Sequence, residues 1–416
     1  MINSLLFVRL FYRDLRANKK RMMLTLVAVL WGTLSIVLLL AFAEGLKTQL
    51  ATNSKGLGEG ILIIWGGQTT IPYEGMGKGR SIRFYPEDLQ EIQRQIPEIE
   101  KVGADYFNWG TSITYGRKTV SSRTNGVFPS FETMRAHYAQ PGGRFLNELD
   151  MEKRRRVAFL GDKLAGELFG AEDPVGKVIT IGSVPFTVIG VQIEKQQMGS
   201  YSGPDNNKVS VPATTFSAIW GQLRYSNIVI QPRNLGQAEY VKQRIYEVVG
   251  KRQKFDPKDK TALSIWDVIE MQQTMDKMMF GLQVFFGVMG FFSLSIAGVG
   301  VANIMYAAIK ERTVEIGVKM ALGAKKRQIM GQFILEAILI CGIGGLAGIV
   351  VAQAVCGFFE RIDLQNEALT WLGKPTISMA IGLITVTILG FIGLVAGFFP
   401  ARRAASVNPV ESLRYE

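Results

Sequence analysis

The 416-residue chain has a single histidine, His137, and two cysteines, Cys341 and Cys356. Both cysteines fall inside one long apolar run, so neither a disulfide framework nor a cysteine-based zinc site is available. One histidine cannot build a histidine cluster, and it leaves little room for a histidine-dependent triad. Charged residues are scarce, 20% of the chain against 48% hydrophobic. Fourteen prolines occur, yet none lies between Pro257 and Pro375, so a long stretch is free to run as unbroken helix.

What is present is apolar sequence gathered into long uncharged runs. A helix needs roughly 20 apolar residues to cross lipid hydrocarbon. Four stretches qualify: 22–43, 278–309, 328–359 and 375–401. The second and third exceed the requirement and must tilt or project beyond the bilayer. A cleaved signal peptide is the competing reading of the first run, since Ala41-Phe42-Ala43 fits the small-residue rule. Its apolar region is too long, because signal peptides use about 7 to 15 residues.

The net charge of +12 would suit a polyanion-binding protein if it were spread over a surface. It is not. Before the first run, Arg9, Arg13, Arg16, Lys19, Lys20 and Arg21 face only Asp14, and residues 310–327 hold six basic side chains against Glu311 and Glu315. The tail after Pro400 is also net basic, whereas the 360–374 loop is net acidic. Basic short loops stay in the cytoplasm. Both termini are therefore expected on the cytoplasmic side of a membrane, with residues 44–277 on the opposite side and no nucleic acid as partner.

Residues 44–277 carry 30 basic and 26 acidic side chains and suffice for a separate core. The pattern predicts two strand-helix-strand units. The first is a strand at 61–65, a helix opening at Pro86 with Leu89, Ile92 and Ile96 on one face, and strands from Val102. The second is a strand at 227–231, a helix over about 236–250 with Tyr240, Ile245 and Val248 among its apolar residues, and a strand at 262–266. The intervening stretch, 116–223, reads as an inserted strand-rich lobe with a hairpin over 178–193 and a short helix near 162–169. The fold class is thus an α+β membrane protein, four transmembrane helices arranged one plus three, with a large extracytoplasmic α/β domain between the first and second.

Within the lobe, Gly170–Val178 reads GAEDPVGKV, which imitates a phosphate loop. It has five residues between its glycines where that loop needs four, and Val178 supplies no hydroxyl for magnesium. A turn between helix and strand is the better account. His137, in a segment without apolar pattern, reads as solvated or locally hydrogen-bonded.

Asn303 and Glu336 are the costly polar groups in the apolar runs, at similar depth on antiparallel spans. Mutual pairing or a bridge to a second subunit, packing elsewhere, and proton transport all remain open for them. Gly344 with Gly348 and Gly393 with Gly397 form small-residue steps that let helices approach closely. Between the second and third runs, Val314, Ile316, Val318 and Met320 alternate as in a strand. Glu315 and Lys319 suit a helix instead, with Gly323 placed to end it.

The segment GVGVANIMYAAIKERTVEIGVKMALGAKKRQIMGQFILEAILI (298–340) resembles that shared by MacB/FtsX-type ABC transporter permeases. The ending PARRAASVNPVESLRYE (400–416) is similar to their C-terminal signature. LFGAEDPVGKVITIG (168–182) is similar to a recurring stretch of their extracytoplasmic domain. The resemblance implies a mechanotransmission permease for efflux, with a porter-like domain from 44–115 and 224–277 and a coupling helix within 310–327. It implies that Glu311, Arg312, Glu315, Ile316, Gly317, Lys319, Leu322, Gly323 and Ala324 contact a separate cytoplasmic ABC ATPase. ATP and magnesium would be bound by that partner, and no cofactor or metal by this chain. A second permease subunit, identical or different, and a periplasmic adaptor or membrane fusion protein are the further partners implied. Control of a cell-wall enzyme and extraction of lipoproteins are alternative functions on the same design. A membrane-anchored enzyme or a sensor module would be a different class.

Overall fold

The computed structural model describes residues 19–197, 199–361 and 373–407. Arg9, Arg13, Arg16, the acids Asp363 and Glu367, and the tail from 408 lie outside the described residues. The described chain divides into two units, 1–49 with 276–416 and 50–275. The first helix, α1 (Lys19–Lys55), carries the first apolar run and crosses that division.

The second unit begins with β1 (Leu62–Gly66) and α2 (Pro86–Gln95). Pro86 opens α2 at the position where a missing N–H costs nothing. The Tyr85 N–H donates to Asp88 Oδ2 at 2.8 Å, and Arg252 Nε binds the other oxygen at 2.6 Å. The chain continues through β2 (Ile99–Tyr115), β3 (Lys118–Val127), α3 (Phe131–Met134), α4 (Glu148–Glu152), β4 (Val157–Leu160) and α5 (Asp162–Phe169). Next come β5 (Val178–Ile181), β6 (Val184–Val191), β7 (Lys208–Pro212), α6 (Ala213–Trp220), β8 (Asn227–Pro232), α7 (Ala238–Gln253) and β9 (Leu263–Asp267).

The strands order as β3-β7-β4-β6-β5-β2-β8-β1-β9, and β3 also pairs with β2. That extra pairing closes six strands into a barrel, while β2, β8, β1 and β9 form an antiparallel sheet of split βαβ connectivity. One long strand serves both. Residues 99–105 of β2 pair with β8, and residues 105–115 pair with β3. Gly110, at φ +66°, lies where the register slips between Asn108 and Thr111. A division at residue 115 therefore does not separate the barrel from the sheet, because β2 supplies hydrogen bonds to both.

Alternation along the strands buries both sheet faces. Leu62, Ile64, Ile228 and Ile230 pack against Leu89, Ile92, Val241 and Ile245 of α2 and α7. Ile63 and Val229 face Phe131, Met134 and Phe159. Val241 holds the core position on α7, and Tyr240 is exposed, because at 100° per residue the neighbour of a core residue leaves the apolar stripe. The hairpin β5–β6 turns at Gly182, φ +62°. The phosphate-loop imitation lies just before it, with Gly170 ending α5 at φ +66°.

The other unit contains α8 (Val268–Glu311), α9 (Thr313–Ala321), α10 (Lys326–Arg361) and α11 (Met379–Ala404), with the first eight residues of α8 in the outer unit. With α1, the helices α8, α10 and α11 are long and apolar enough to cross a membrane. Lipid provides no hydrophobic drive between helices, so close contact depends on small residues. A Cβ added at Gly344 would meet Val29 at 2.9 Å, and one at Gly348 would meet Thr33 Cβ at 2.7 Å, so this step faces α1. The other step faces α10. A Cβ at Gly393 would meet Cys341 at 3.3 Å, and one at Gly397 would meet Ala337 at 2.7 Å. Val29, Ile36, Val301, Phe333, Ala337 and Ile340 belong to the core these contacts enclose.

Gly348→Ala is expected to cost about 1–3 kcal/mol by overpacking against α1. Gly342→Ala, where the new Cβ meets nothing within 4 Å, is expected to leave stability unchanged or raised. The buried thiols Cys341 and Cys356 provide the readout: a thiol-reactive dye should label them at lower temperature in the first variant only.

Candidate functional site

Among the described residues, each unit has a buried ion-pair constellation that is a candidate for function. In the helical unit, α8 stops because Arg312 leaves helical geometry at φ −105°, ψ 15°. The Thr313 hydroxyl donates to the carbonyls of Ile309 and Lys310. The backbone then resumes as α9, and the Glu315 and Lys319 side chains pair at 2.8 Å across one turn. Gly323, at φ +93°, ends the segment, and the Lys325 N–H donates to Gln328 Oε1 at the start of α10. The alternation of Val314, Ile316, Val318 and Met320 is thus accommodated by a helix.

Helical phase divides those residues. Ile316 is 3% exposed in the bundle core and Gly317 is buried beside it, whereas Val314, Val318 and Leu322 are 49%, 39% and 84% exposed. Spacings of four place these three on one outward stripe. Glu311 and Gly323 are exposed, Glu315 and Lys319 are half-buried, and Ala324 packs against the core. Of the nine expected contact residues, Ile316 and Gly317 therefore face the bundle rather than a partner. The reason is the four-residue period: the helix that exposes Leu322 also exposes Val318 and Val314, which the alternating pattern concealed.

Arg312 also turns inward. Its Nη1 and Nη2 each lie 3.4 Å from Glu336 Oε1, with the two side chains 16% and 8% exposed. Asn303, one candidate partner for Glu336, is exposed on α8. A guanidinium at a helix break outcompetes a neutral amide for a buried carboxylate. The partner of Glu336 seen here, Arg312, is in none of the pairings expected from the sequence.

The second constellation is in the outer unit and is centred on Asp205, which is fully buried. Its carboxylate accepts from Arg135 Nη2 at 3.1 Å, Lys195 Nζ at 2.8 Å and Lys208 Nζ at 2.5 Å, with His137 Nε2 at 3.3 Å. Burial alone would raise its pKa, but Arg135, Lys208 and Lys195 hold it well below the ordinary range. Arg135 also donates to the Leu57 carbonyl, and Lys195 donates to the carbonyls of Arg135 and Ala136. Asp205 thereby ties together the turn after α1, the segment after α3, the loop before β7 and β7 itself.

His137 is 1% exposed, not solvated, and burial pushes its pKa down to about 3. A neutral imidazole next to a buried carboxylate imitates part of a hydrolytic triad, but at this burial no substrate reaches it. Asp105, also fully buried, accepts from the Tyr201 hydroxyl at 3.1 Å. Burial raises its pKa to about 7, against the opposing pull of Lys208 and the Tyr201 hydrogen bond. Nothing in the local pattern marked this cluster. Its members are dispersed from 57 to 208 and meet only through β2, β3 and β7. Among the described residues, no group of three His, Cys, Asp or Glu side chains is placed to hold a metal ion.

Residues 22–248 match the model of the MacB-like periplasmic core domain, and residues 287–409 match that of the FtsX-like permease C-terminal domain. Similar relatives include the macrolide export ATP-binding/permease proteins MacB of Bdellovibrio bacteriovorus and Chlorobaculum tepidum. The first is 30% identical over 97% of this chain and 61% of its own length, and the second 31% identical over 99% and 61%. The chain thus spans about three fifths of the length of these curated relatives, corresponding to their permease part. Similar solved structures include the periplasmic region of MacB from Actinobacillus actinomycetemcomitans, at TM-score 0.43 and 20% identity, covering 54% of this chain and 96% of that one. The extracellular domain of the noncanonic ABC-type transporter YknZ from Gram-positive bacteria gives TM-score 0.40 and 19% identity, covering 50% and 99%.

Asp205→Asn leaves buried cations without their counter-charge and should destabilise the outer unit by about 3–5 kcal/mol, read by tryptophan fluorescence in denaturant. Asp105 has the opposite electrostatic sign. Its folded pKa lies above the ordinary carboxylate value, so its contribution to stability is complete below about pH 4 and is lost as pH rises towards 7. His137, with its pKa lowered, works the other way over pH 3 to 6.5, so the useful comparison is variant against wild type at each pH. Asp105→Asn should gain stability relative to wild type from pH 4 to 7 and then level off. A difference independent of pH would contradict the Asp105 assignment.

Proposed function

Because this chain belongs to the MacB-like, FtsX-like permeases of ABC transporters, we propose that it couples ATP hydrolysis on a cytoplasmic ABC ATPase to movement of its periplasmic domain. The observation that carries this reading is the outward stripe Val314, Val318 and Leu322 on α9. The helix packs Ile316 and Met320 on the bundle and, with Leu322 at its C-terminal cap, presents Val314, Val318 and Leu322 on its open face, an arrangement suited to a groove in another protein. Glu311, Glu315 and Lys319 border that stripe and give the contact an electrostatic register. ATP and magnesium belong to the partner in this reading, and this chain contributes the docking helix and the spans.

The basic segments flanking the spans support cytoplasmic termini and a cytoplasmic α9, with the outer unit in the periplasm. A second permease subunit would complete the membrane assembly, and a periplasmic adaptor would receive the movement. Efflux is the favoured output because the relatives are named for macrolide export. Lipoprotein extraction or control of a cell-wall enzyme would use the same lever.

Val314→Asp with Val318→Asp should reduce copurification of the ABC ATPase at least tenfold, a loss of about 1.4 kcal/mol or more. Lys319→Ala should change it less than threefold, as expected of a rim charge. Undiminished capture by the double variant would overturn the docking assignment. Protease mapping on sealed vesicles tests the topology: α9 and the outer unit must be cleaved from opposite faces.

A further inference from the structure

The short helix α9 cannot hold its own orientation. At nine residues it is below the roughly 12–15 at which an isolated helix becomes even marginal in water. It is also bracketed by breaks, Arg312 at φ −105°, ψ 15° and Gly323 at φ +93°. Its direction must come from contacts with other elements. Ile316 provides one, but an apolar contact is non-directional and tolerates rotation and sliding.

Arg312 and Glu336 provide a directional one. Arg312 is the hinge residue between α8 and α9, and Glu336 lies about 15 Å along α10 from its start. Both Nη atoms reach the same carboxylate oxygen at 3.4 Å. The pair is largely shielded from water, where charge attraction is strongest and removal of one partner is most disruptive.

We propose that Arg312 and Glu336 are positioning residues that lock α9 to the third span, so that displacement of α9 enters α10 directly as well as α8. The functional use of this lock rests on the coupling reading above; the lock itself is a property of this chain. A push on α9 alone would otherwise be absorbed at the Arg312 break. With the ion pair closed, the break becomes a braced corner between α8, α9 and α10.

The test uses the full chain in lipid nanodiscs with Cys341 and Cys356 replaced by serine and nitroxides at Lys319→Cys on α9 and Leu346→Cys on α10. Both sites lie away from the ion pair, and Leu346 is exposed. Pulsed dipolar spectroscopy should give one narrow distance distribution for the parent, at least twofold broader in Glu336→Gln. The reciprocal exchange, Arg312→Glu with Glu336→Arg, should narrow it again. An unchanged width in Glu336→Gln, or a swap that stays broad while eluting as a folded species, would overturn the proposal. Should Glu336→Gln fail to fold, Arg312→Lys keeps the charge but loses the two-nitrogen approach, and its distribution must broaden. In complex with the ABC ATPase, Glu336→Gln should retain copurification and lose at least tenfold of the stimulated MgATP hydrolysis, with the swap restoring it. If the Val314 and Val318 variants leave capture intact, the docking reading falls, while the label distances still decide the ion pair.

Discussion

A peptide group in hydrocarbon has no water to bond, and every span of this permease meets that constraint as a helix whose backbone bonds are internal. Much of the membrane unit follows from it. Helices in lipid gain nothing from hiding apolar surface from one another, so they associate where small residues permit close approach. Gly344 and Gly348 admit α1, and Gly393 and Gly397 admit α10. That packing places Phe333 and Ala337 in the core, beside the face on which Glu336 meets Arg312 and near the seat of Ile316. The outward direction of Val314, Val318 and Leu322 is a consequence of how that core is filled.

The outer unit faces a different balance. Water is available to its surface but not to Asp205, Asp105, Arg135, His137 or Lys208, all of them buried. Compensation replaces exclusion: several cationic groups converge on one carboxylate, and the resulting hub joins four segments distant in sequence. Such a hub is a poor way to gain stability and a good way to specify one arrangement, since losing any partner leaves buried charge exposed to low dielectric. The same burial keeps substrate away from the His137–Asp205 pair.

Much of this was legible beforehand. The four apolar runs, the split units around β1 and β8, the hairpin at Gly182 and the turn that imitates a phosphate loop all follow from local composition and period. The candidate site was legible in location but only partly in detail. The motif places Glu315, Ile316, Gly317, Lys319 and Leu322 alike in one contact segment, whereas helical phase buries Ile316 and Gly317 against the bundle. Val314 and Val318 were hidden because a two-residue alternation and a four-residue spacing coincide over so short a segment.

Sequence alone determined which segments enter lipid, because length and hydropathy are local quantities, and it determined the likeness to ABC permeases through contiguous motifs. Tertiary structure decided that Glu336 engages Arg312, and that β2 belongs to both barrel and sheet. It also decided that Asp205 gathers Arg135, His137, Lys195 and Lys208. These outcomes depend on helix phase and on strand closure between residues far apart in the chain. No window of local sequence contains that information; only the packed chain does.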